Sequence, residues 1–325
     1  MIQLSIITVV FNVEHFLADY FISIGRSKNI EVLIYDAGST DGSLEIISQF
    51  KRRKYPIRLF KGKNIGFAAA NNFLAKKSTS DYLFILNPDT KLEKNCLKKL
   101  LGNNQKNSSI LVPKQLFFNG KILSHGVATD IFGYPSPSRQ KIYFYADGAA
   151  IFISKKLFVK LGMFDENYFM FQEDIDFSWR ARLLGIPLVI IDASVYHYSG
   201  GSLKGGAIKG GQYFTNTLRR YLGERNNISN LIKNYSLQNL LWILPLYLAT
   251  NLFEILLFLF LLQSEVSRCY LRAYAWNIKN LPAILNKRRW VQARRLVGDK
   301  EIMKNMIWGS NKLRVFLRSG IPSFK

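Results

Sequence analysis

Four short runs rich in branched and aromatic residues constrain this chain more than any other feature. They are 4-LSIITVVF, 31-EVLIYDAG, 57-IRLFKG and 82-YLFILNPDT, and each ends in a polar turn. Residues 13–25, 40–50 and 65–78, which separate them, carry helical periodicity. Strand, helix, strand in this order predicts a parallel sheet. Thr40 or Asp41 suits the N-cap of the second helix. Residues 91–101 read as a further helix, 187-PLVIID as a further strand, and 103–145 as a looser region with short strands. In open α/β sheets ligands bind outside the carboxyl ends of the strands. Polar clusters stand at four such ends, in residues 8–12, 36–42, 87–90 and 192–202. A sheet would gather them on one rim.

At 325 residues and 48% hydrophobic content, the chain is long enough for one large α/β domain and an appendage. Its 45 Lys and Arg against 22 Asp and Glu give a formal charge of +23. That excess calls for an anionic partner: a nucleic acid, a phosphorylated small molecule or a membrane surface. The charge peaks beside an apolar stretch and not among aromatic stacking motifs, so no nucleic acid is expected. Cys96 and Cys269 have no metal-type spacing, which makes a disulfide framework improbable and a reducing compartment the default. The start, 1-MIQLSIITVVFN, lacks a basic leader and reads as a buried strand.

Each rim residue has a functional and a structural reading. Asp36 ends a strand and suits hydrogen bonds from a base or a ribose. Ser39, Thr40 and Asp41 read more simply as turn and cap residues. Asp89, in 86-LNPDT, suits Mg²⁺ or Mn²⁺, hard cations that use few carboxylates plus substrate phosphates, and it equally suits an Asn-Pro-Asp turn. His197 follows a strand directly and opens 197-HYSGGS, whose small residues let backbone approach a phosphate. A lone histidine is otherwise a structural residue.

The stretch 169-FMFQEDIDFSWRARLLG holds Glu173, Asp174 and Asp176 at the head of an amphipathic helix. Capping, the helix dipole and an Asp176–Arg180 pair explain one or two of these acids. Ile175, Trp179 and Leu183 would form the buried face. Three mutually repelling carboxylates beside an apolar wall raise one pKa, which suits a general base near neutral pH. Asp147, His125 and Trp179 are further candidate site residues, each also readable as structural.

Taken in order, TVVFN, DAGSTDGS, KNIGFAAANN, LNPDT, the stretch from Gly148 to Gly185 and HYSGGS resemble a family 2 glycosyltransferase of the GT-A type, in its rhamnosyltransferase-like branch. The resemblance covers roughly residues 1–230. It implies a Rossmann-like, mixed but mostly parallel sheet flanked by helices. It also implies inverting transfer of one sugar from a nucleoside-diphosphate sugar to an acceptor hydroxyl. By the same resemblance Asp36 and Ser39 contact the nucleoside, the loop with Thr8, Val10 and Asn12 lines the nucleotide, and Asn64 and Gly66 sit beside it. The Asp-Xaa-Asp metal motif falls on Asn87 and Asp89. Because its first acid is Asn87 here, Asp89 carries most of the chelation of Mg²⁺ or Mn²⁺, with His197 as a metal or diphosphate contact. The Glu-Asp pair falls on Glu173 and Asp174, with Asp174 as base. The Gln-Xaa-Xaa-Arg-Trp motif of processive synthases is absent, which implies one sugar per encounter. A catalytically silent nucleotide-sugar-binding scaffold is the alternative that Asn87 raises, and a basic nucleic-acid-binding protein is the less favoured one that the charge of +23 raises.

Composition changes after Tyr235. Residues 235–263 contain no Lys or Arg and one acid, Glu254, while residues 264–325 hold 14 basic and 3 acidic residues. The expected division is a catalytic domain over 1–230 and a helical, membrane-associating region over 231–325. One crossing of a bilayer would put the basic tail on the far side from the catalytic domain, against the positive-inside tendency. A helical hairpin or in-plane helices at the cytoplasmic face of the cell membrane, with Lys and Arg on anionic headgroups, is the favoured arrangement. A true span and a buried dimer or domain interface are the alternatives. Such a tail implies a lipid-linked glycan or polysaccharide acceptor and leaves room for a homodimer.

Overall fold

A computed structural model describes residues 2–103, 108–118, 122–124, 127–136, 143–198 and 206–324. His125 and residues 199–202 of the sequence expectations lie outside them. The apolar runs become strands: β1 (Leu4–Val10), β2 (Ile30–Asp36), β3 (Ile57–Lys61) and β4 (Tyr82–Leu86). Their crossovers are α1 (Glu14–Ile24), α2 (Ser43–Arg52) and α3 (Phe67–Lys77). After β4 come β5 (Thr90–Leu92), α4 (Cys96–Gly102), β6 (Ile110–Leu116), β7 (Ile122–Ser124), β8 (Ala128–Asp130), β9 (Pro135–Ser136), β10 (Ala150–Ser154), α5 (Lys155–Lys160), α6 (Glu173–Leu183) and β11 (Leu188–His197). The helix expected over 91–101 is therefore shorter, and its first residues form β5, which exists because it pairs with β11.

One sheet of nine strands runs β3-β2-β1-β4-β10-β6-β11-β5, with β7 on β6. Strands β1 to β4 are parallel, β10 is antiparallel to both β4 and β6, and β6 is parallel to β11. Six strands therefore point the same way, and the carboxyl ends of β1, β2, β4, β6 and β11 share one edge. All seven residues of β2 are buried. That includes Glu31, whose carboxylate takes Ser5 Oγ at 2.5 Å, Thr79 N at 2.9 Å and Arg58 Nη1 at 2.8 Å. A buried acid so fully paired serves the structure and not a ligand. The core under this sheet joins Leu4, Ile6 and Val10 to Leu17, Phe21, Phe84, Phe152 and Val195.

The chain divides into two compact units that alternate along the sequence. The first is Met1–Gly126, Tyr145–Ser178 and Ile186–Ser202; the second is Val127–Phe144, Trp179–Gly185 and Leu203–Lys325. The second unit adds β12 (Ala207–Lys209), β13 (Gln212–Thr215), α7 (Thr217–Asn234), α8 (Leu237–Phe260), α9 (Ser264–Lys279), α10 (Leu281–Ala293), α11 (Asp299–Met303), β14 (Met306–Ile307), α12 (Asn311–Ser319) and β15 (Ser323–Phe324). Residues 235–263 do not make a hairpin. Leu237–Phe260 of that stretch form one continuous helix, α8, with Pro245 inside it.

Candidate active site

The loops after β1 and β2 are laced together at the shared edge. Val10 lies opposite Asp36 in the parallel register. Asp36 is 2% exposed, and its carboxylate accepts the N–H groups of Gly38 at 3.2 Å and Ser39 at 3.3 Å. Ser39 Oγ accepts Asn12 N–H at 3.1 Å, and Asn12 Oδ1 accepts Thr40 N–H at 2.8 Å. Asp41 accepts the amides of Glu14 and Ser43, a turn role, but neither it nor Thr40 is the N-cap expected from sequence: that position is Gly42, with no side-chain cap bond. Two expected nucleotide contacts need correction. Thr8 and Val10 have no exposed surface, and the Thr8 hydroxyl bonds that of Tyr20. Both lie on one face of a central strand and pack inward. What the loop offers a ligand is Phe11 and Asn12, both exposed. Asn64 Oδ1 accepts Gly66 N–H at 3.1 Å and so shapes the entry to α3.

At the end of β4, Asn87 N–H donates to Ala149 O at 2.9 Å, which sets the turn before β10 beside the Asn-Pro-Asp loop. Asp89 Oδ1 stands 3.4 Å from His197 Nε2, with both side chains largely buried. His197 Nδ1 lies 3.2 Å from Gln115 Oε1, a contact at the end of β6 that no sequence pattern announced. Burial alone would lower the imidazole pKa, but the hydrogen bond and charge of Asp89, with the charge of Asp147, hold it above its usual value. When Nδ1–H donates to Gln115, the Nε2 lone pair faces a carboxylate. That gap takes either a proton or a cation. Among the described residues no group of three or more His, Cys, Asp or Glu gathers around an ion. Asp89 and His197 therefore fit a divalent ion as half of a site whose other ligands come from phosphate oxygens.

The turn at 147–149 also carries the second half of the constellation. Asp174, in the first turn of α6, accepts Gly148 N–H on Oδ2 at 3.1 Å and Ile175 N–H on Oδ1 at 2.8 Å. Burial, followed by the charge of Asp147, raises its carboxyl to about 7 against those two backbone bonds. Glu173 is 6% exposed, and its Oε2 has no hydrogen-bond partner among the described residues. Burial and then the charges of Asp174, Asp147 and Asp176 push it well above the usual carboxylate range. Asp176 is fully sealed, so Asp174 is the one of the three that keeps partial exposure. Tyr145 also keeps its proton far above the usual range, through burial and then these same carboxylates. Phe171 and Gln172, just before α6, both have left-handed backbone, with φ of 67° and 71°. Strain of that kind persists where surrounding structure over-determines the chain.

Asp147 is thus the shared neighbour: its charge acts on His197 and on Asp174 alike. It brings Asp89, His197, Asp147, Glu173 and Asp174 into one electrostatic neighbourhood, with Gly66 bound in through Phe169. Phe67 N–H donates to Phe169 O at 2.7 Å, and a Cβ on Gly66 would lie 2.3 Å from that oxygen. Trp179 does not belong to the neighbourhood. It has no exposed surface, and its ring packs edge-on against Phe144 and Tyr235, which leaves no face for an acceptor. Its place with Ile175 and Leu183 on the buried face of α6 holds.

Residues 5–165 match the model of the family described as Glycosyl transferase family 2. An uncharacterized glycosyltransferase of Haemophilus influenzae is 36% identical over 102 residues, which is 30% of this chain and 41% of that protein. The low-salt glycan biosynthesis hexosyltransferase Agl10 of Haloferax volcanii is 27% identical over 136 residues, 37% of this chain and 44% of its own. The chain thus spans less than half the length of these two relatives. An N-acetylglucosaminyl-diphospho-decaprenol L-rhamnosyltransferase of Mycobacterium tuberculosis is 25% identical over 231 residues, 59% of this chain and 73% of that one. Among solved structures, GalNAc-T7 with UDP, GalNAc and Mn²⁺ superposes with a TM-score of 0.57 at 17% identity, covering 72% of this chain and 48% of that one. TarS 1-349 of S. aureus with UDP-GlcNAc gives 0.51 at 17% identity, covering 72% and 67%. At these identities the superpositions establish the GT-A-like fold.

Proposed function

We propose, on the premise that the chain belongs to glycosyl transferase family 2 through residues 5–165, that it is an inverting glycosyltransferase. It moves one sugar from a nucleoside-diphosphate sugar to an acceptor hydroxyl, with Asp174 as the base. The observation that carries this reading is the position of Asp174: partly exposed, tied to Gly148 N–H, and shifted to about 7 beside Asp147 and Glu173. A carboxyl that is half-ionised near neutral pH is matched to removing a hydroxyl proton.

In this mechanism the acceptor oxygen gives its proton to Asp174 as it bonds to the anomeric carbon. The bond from that carbon to the diphosphate oxygen breaks on the opposite face, and the electron pair leaves with the nucleotide. One displacement inverts the centre. Burial and the neighbouring carboxylates favour the protonated form of Glu173, which limits the negative charge the cluster turns to the acceptor. Asp89 and His197 would hold Mg²⁺ or Mn²⁺, which would offset charge building on the diphosphate. Asp36, Ser39, Asn12 and the loop of Asn64 and Gly66 receive the nucleoside. UDP is the nucleotide to try first, because TarS and GalNAc-T7 are described with it.

The acceptor in this reading is a lipid-linked glycan or a cell-surface polysaccharide precursor at the cytoplasmic face of the membrane. Its support is the decaprenol-linked substrate in the name of the mycobacterial relative and the long apolar helix α8. Catalysis is assigned to residues 1–230 and membrane association to 231–325.

The test is Asp174→Asn with UDP-GlcNAc and Mn²⁺. Release of UDP should fall by roughly 10² or more, while UDP still raises the melting temperature. Undiminished turnover removes Asp174 as base. Asn87 favours the second reading, a silent nucleotide-sugar-binding scaffold. Stabilisation of the unaltered protein by UDP-sugars, with no turnover of UDP-, GDP- or dTDP-sugars, would establish it instead.

A further inference from the structure

Helix α8 carries one acid, Glu254, and no basic residue. Its buried stripe is Ile243, Tyr247, Asn251, Ile255 and Phe258. The middle of that stripe is polar. The Tyr247 hydroxyl donates to Glu224 Oε2 at 2.5 Å, and Asn251 Nδ2 donates to the same oxygen at 3.1 Å. Lys312 Nζ, from α12, reaches Glu224 Oε1 at 2.7 Å, Glu254 Oε2 at 2.8 Å and Asn251 Oδ1 at 2.8 Å. Arg220 of α7 adds a second cation at 3.3 Å from Glu224. Two acids and two bases are thus locked, almost dry, against the centre of α8.

A flanking side of α8 is bare and apolar. Leu241, Leu248, Leu252, Leu256 and Leu259 are 69%, 37%, 56%, 57% and 49% exposed. Spacings of 7, 11, 15 and 18 residues from Leu241 keep them on one stripe about 27 Å long. A continuous apolar face of this size on a folded surface marks an interaction site.

Length alone lets α8 cross a bilayer. The ion network argues against it. A crossing would either carry Lys312, Arg220, Glu224 and Glu254 into hydrocarbon or strip them from the helix, and both are costly. A lipid surface asks for neither, because the polar stripe stays inside the protein while the leucine stripe enters the acyl boundary. The surrounding charge selects the headgroup. Residues 264–325 hold 14 basic and 3 acidic residues. On α12, which Lys312 ties to α8, exposed Leu313 and Leu317 alternate with exposed Arg314 and Arg318. We infer that the second unit binds an anionic lipid surface from one side. α8 lies in the membrane plane, the stripe of Leu241, Leu248, Leu252, Leu256 and Leu259 is immersed, and the chain does not cross the bilayer at α8. This deepens the membrane assignment of the proposed function and is independent of the transfer chemistry.

The experiment uses the full chain. Cys96 and Cys269 are buried, so an environment-sensitive dye goes to thiols introduced one at a time by Leu241→Cys, Leu248→Cys and Leu259→Cys. The labelled proteins are mixed with vesicles of phosphatidylcholine alone or with about a third phosphatidylglycerol, and depth is read with shallow and deep lipid-bound quenchers. All three labels should report one shallow depth, about 5–10 Å below the headgroups. Leu248 at the bilayer centre, with Leu241 and Leu259 near the two interfaces, overturns the inference in favour of a span. Partition should be roughly tenfold stronger on the anionic vesicles, and equal partition on both overturns the headgroup assignment. The exposed changes Leu252→Glu and Leu256→Glu together should cut partition by about tenfold or more while leaving the melting temperature and the turnover of UDP-GlcNAc with a soluble acceptor in place. Unchanged partition overturns the inference. A chain that ignores vesicles and runs as a dimer by light scattering also overturns it, and gives the stripe to a second copy. Loss of turnover with intact vesicle binding strikes the transfer reading alone.

Discussion

Asp174 accepts a hydrogen bond from Gly148 N–H at 3.1 Å, and this single contact joins the first turn of α6 to the turn that opens β10. The same turn is bound to Asn87 through Ala149 O. Two residues of backbone, Gly148 and Ala149, therefore link the carboxylate of the candidate base to the start of the candidate diphosphate loop. Rigid elements hold catalytic geometry better than loops do.

The rate should follow the ionisation of Asp174. A base works only when deprotonated, so kcat/KM should rise with pH through about 7 and level off above it. The charge of Asp147 contributes to the upward shift. Asp147→Asn should therefore move the midpoint to lower pH, by up to about one unit. Rate profiles of both proteins from pH 5 to about 9 check this. A midpoint that stays put in the variant would show that Asp147 does not act on the reacting carboxyl.

Two glycines at the site should behave oppositely. Gly66 has φ of +84°, and an added Cβ would lie 2.3 Å from Phe169 O, a backbone atom that Phe67 N–H already holds. Gly66→Ala should cost more than about 2 kcal/mol. A Cβ on Gly148 meets the Phe67 ring at 3.5 Å and Asp174 Cβ at 3.6 Å, ordinary contact distances. Gly148→Ala should stay within about 1 kcal/mol and leave transfer in place, because neither neighbour has to move. Urea melts alongside turnover separate the two. Equal stability losses would mean that the left-handed turn at Gly66 is not required.

The order of strands and crossovers was legible because buried strands and amphipathic helices write different periods. Direction was not: only its pairing makes β10 antiparallel to β4. Thr8 and Val10 show the same limit. A motif locates a loop at a strand end, whereas the inward turn of those side chains depends on α1, which brings Tyr20 over them. Gln115 carried no local signal, since its meaning comes from β6 lying beside β11. Trp179 was readable both ways, and helical spacing with Ile175 and Leu183 was the better guide. The hairpin, one of two arrangements expected for residues 235–263, was argued from the charge on either side of the stretch, which says nothing of whether its helix is broken; Pro245 does not break it.

Gln115 yields a prediction with a readout other than turnover. Its Oε1 lies 3.2 Å from His197 Nδ1 and fixes the ring with Nε2 towards Asp89. Partners of this kind are worth roughly 10- to 100-fold in metal affinity. Gln115→Leu should weaken the dependence of UDP binding on Mn²⁺ by about tenfold, measured as the Mn²⁺ concentration needed for half of the UDP thermal shift. Asp89→Asn should abolish that dependence. An unchanged Mn²⁺ requirement in both variants would remove Asp89 and His197 from the ion.

The raised carboxyl of Asp174 also sets the direction of a stability change. Its value in the fold, about 7, lies above the ordinary 3.8. Below about pH 4 both folded and unfolded chains are protonated there, and the contribution is fully present. Between about 4 and 7 the unfolded chain is ionised while the fold still holds its proton, so stability falls as pH rises, and the loss is complete above 7. A shift of about three units sets a ceiling of about 4 kcal/mol, and sharing of charge with Glu173 brings the expected loss to about 2. Glu31, held below the usual range by its hydrogen bonds despite burial, has the opposite sign and loses its contribution as pH falls. It is present in both proteins, so it cancels when the Asp174→Asn variant is compared with the unaltered chain at each pH. The variant should match the parent near pH 4 and exceed it by about 1–3 kcal/mol at pH 8, measured by urea melts at both values. Abolished transfer together with that gain would identify Asp174 as a group whose buried charge costs stability and serves catalysis. A variant no more stable than its parent at pH 8 would mean that the carboxyl is not raised, and the pH-dependent base would go with it.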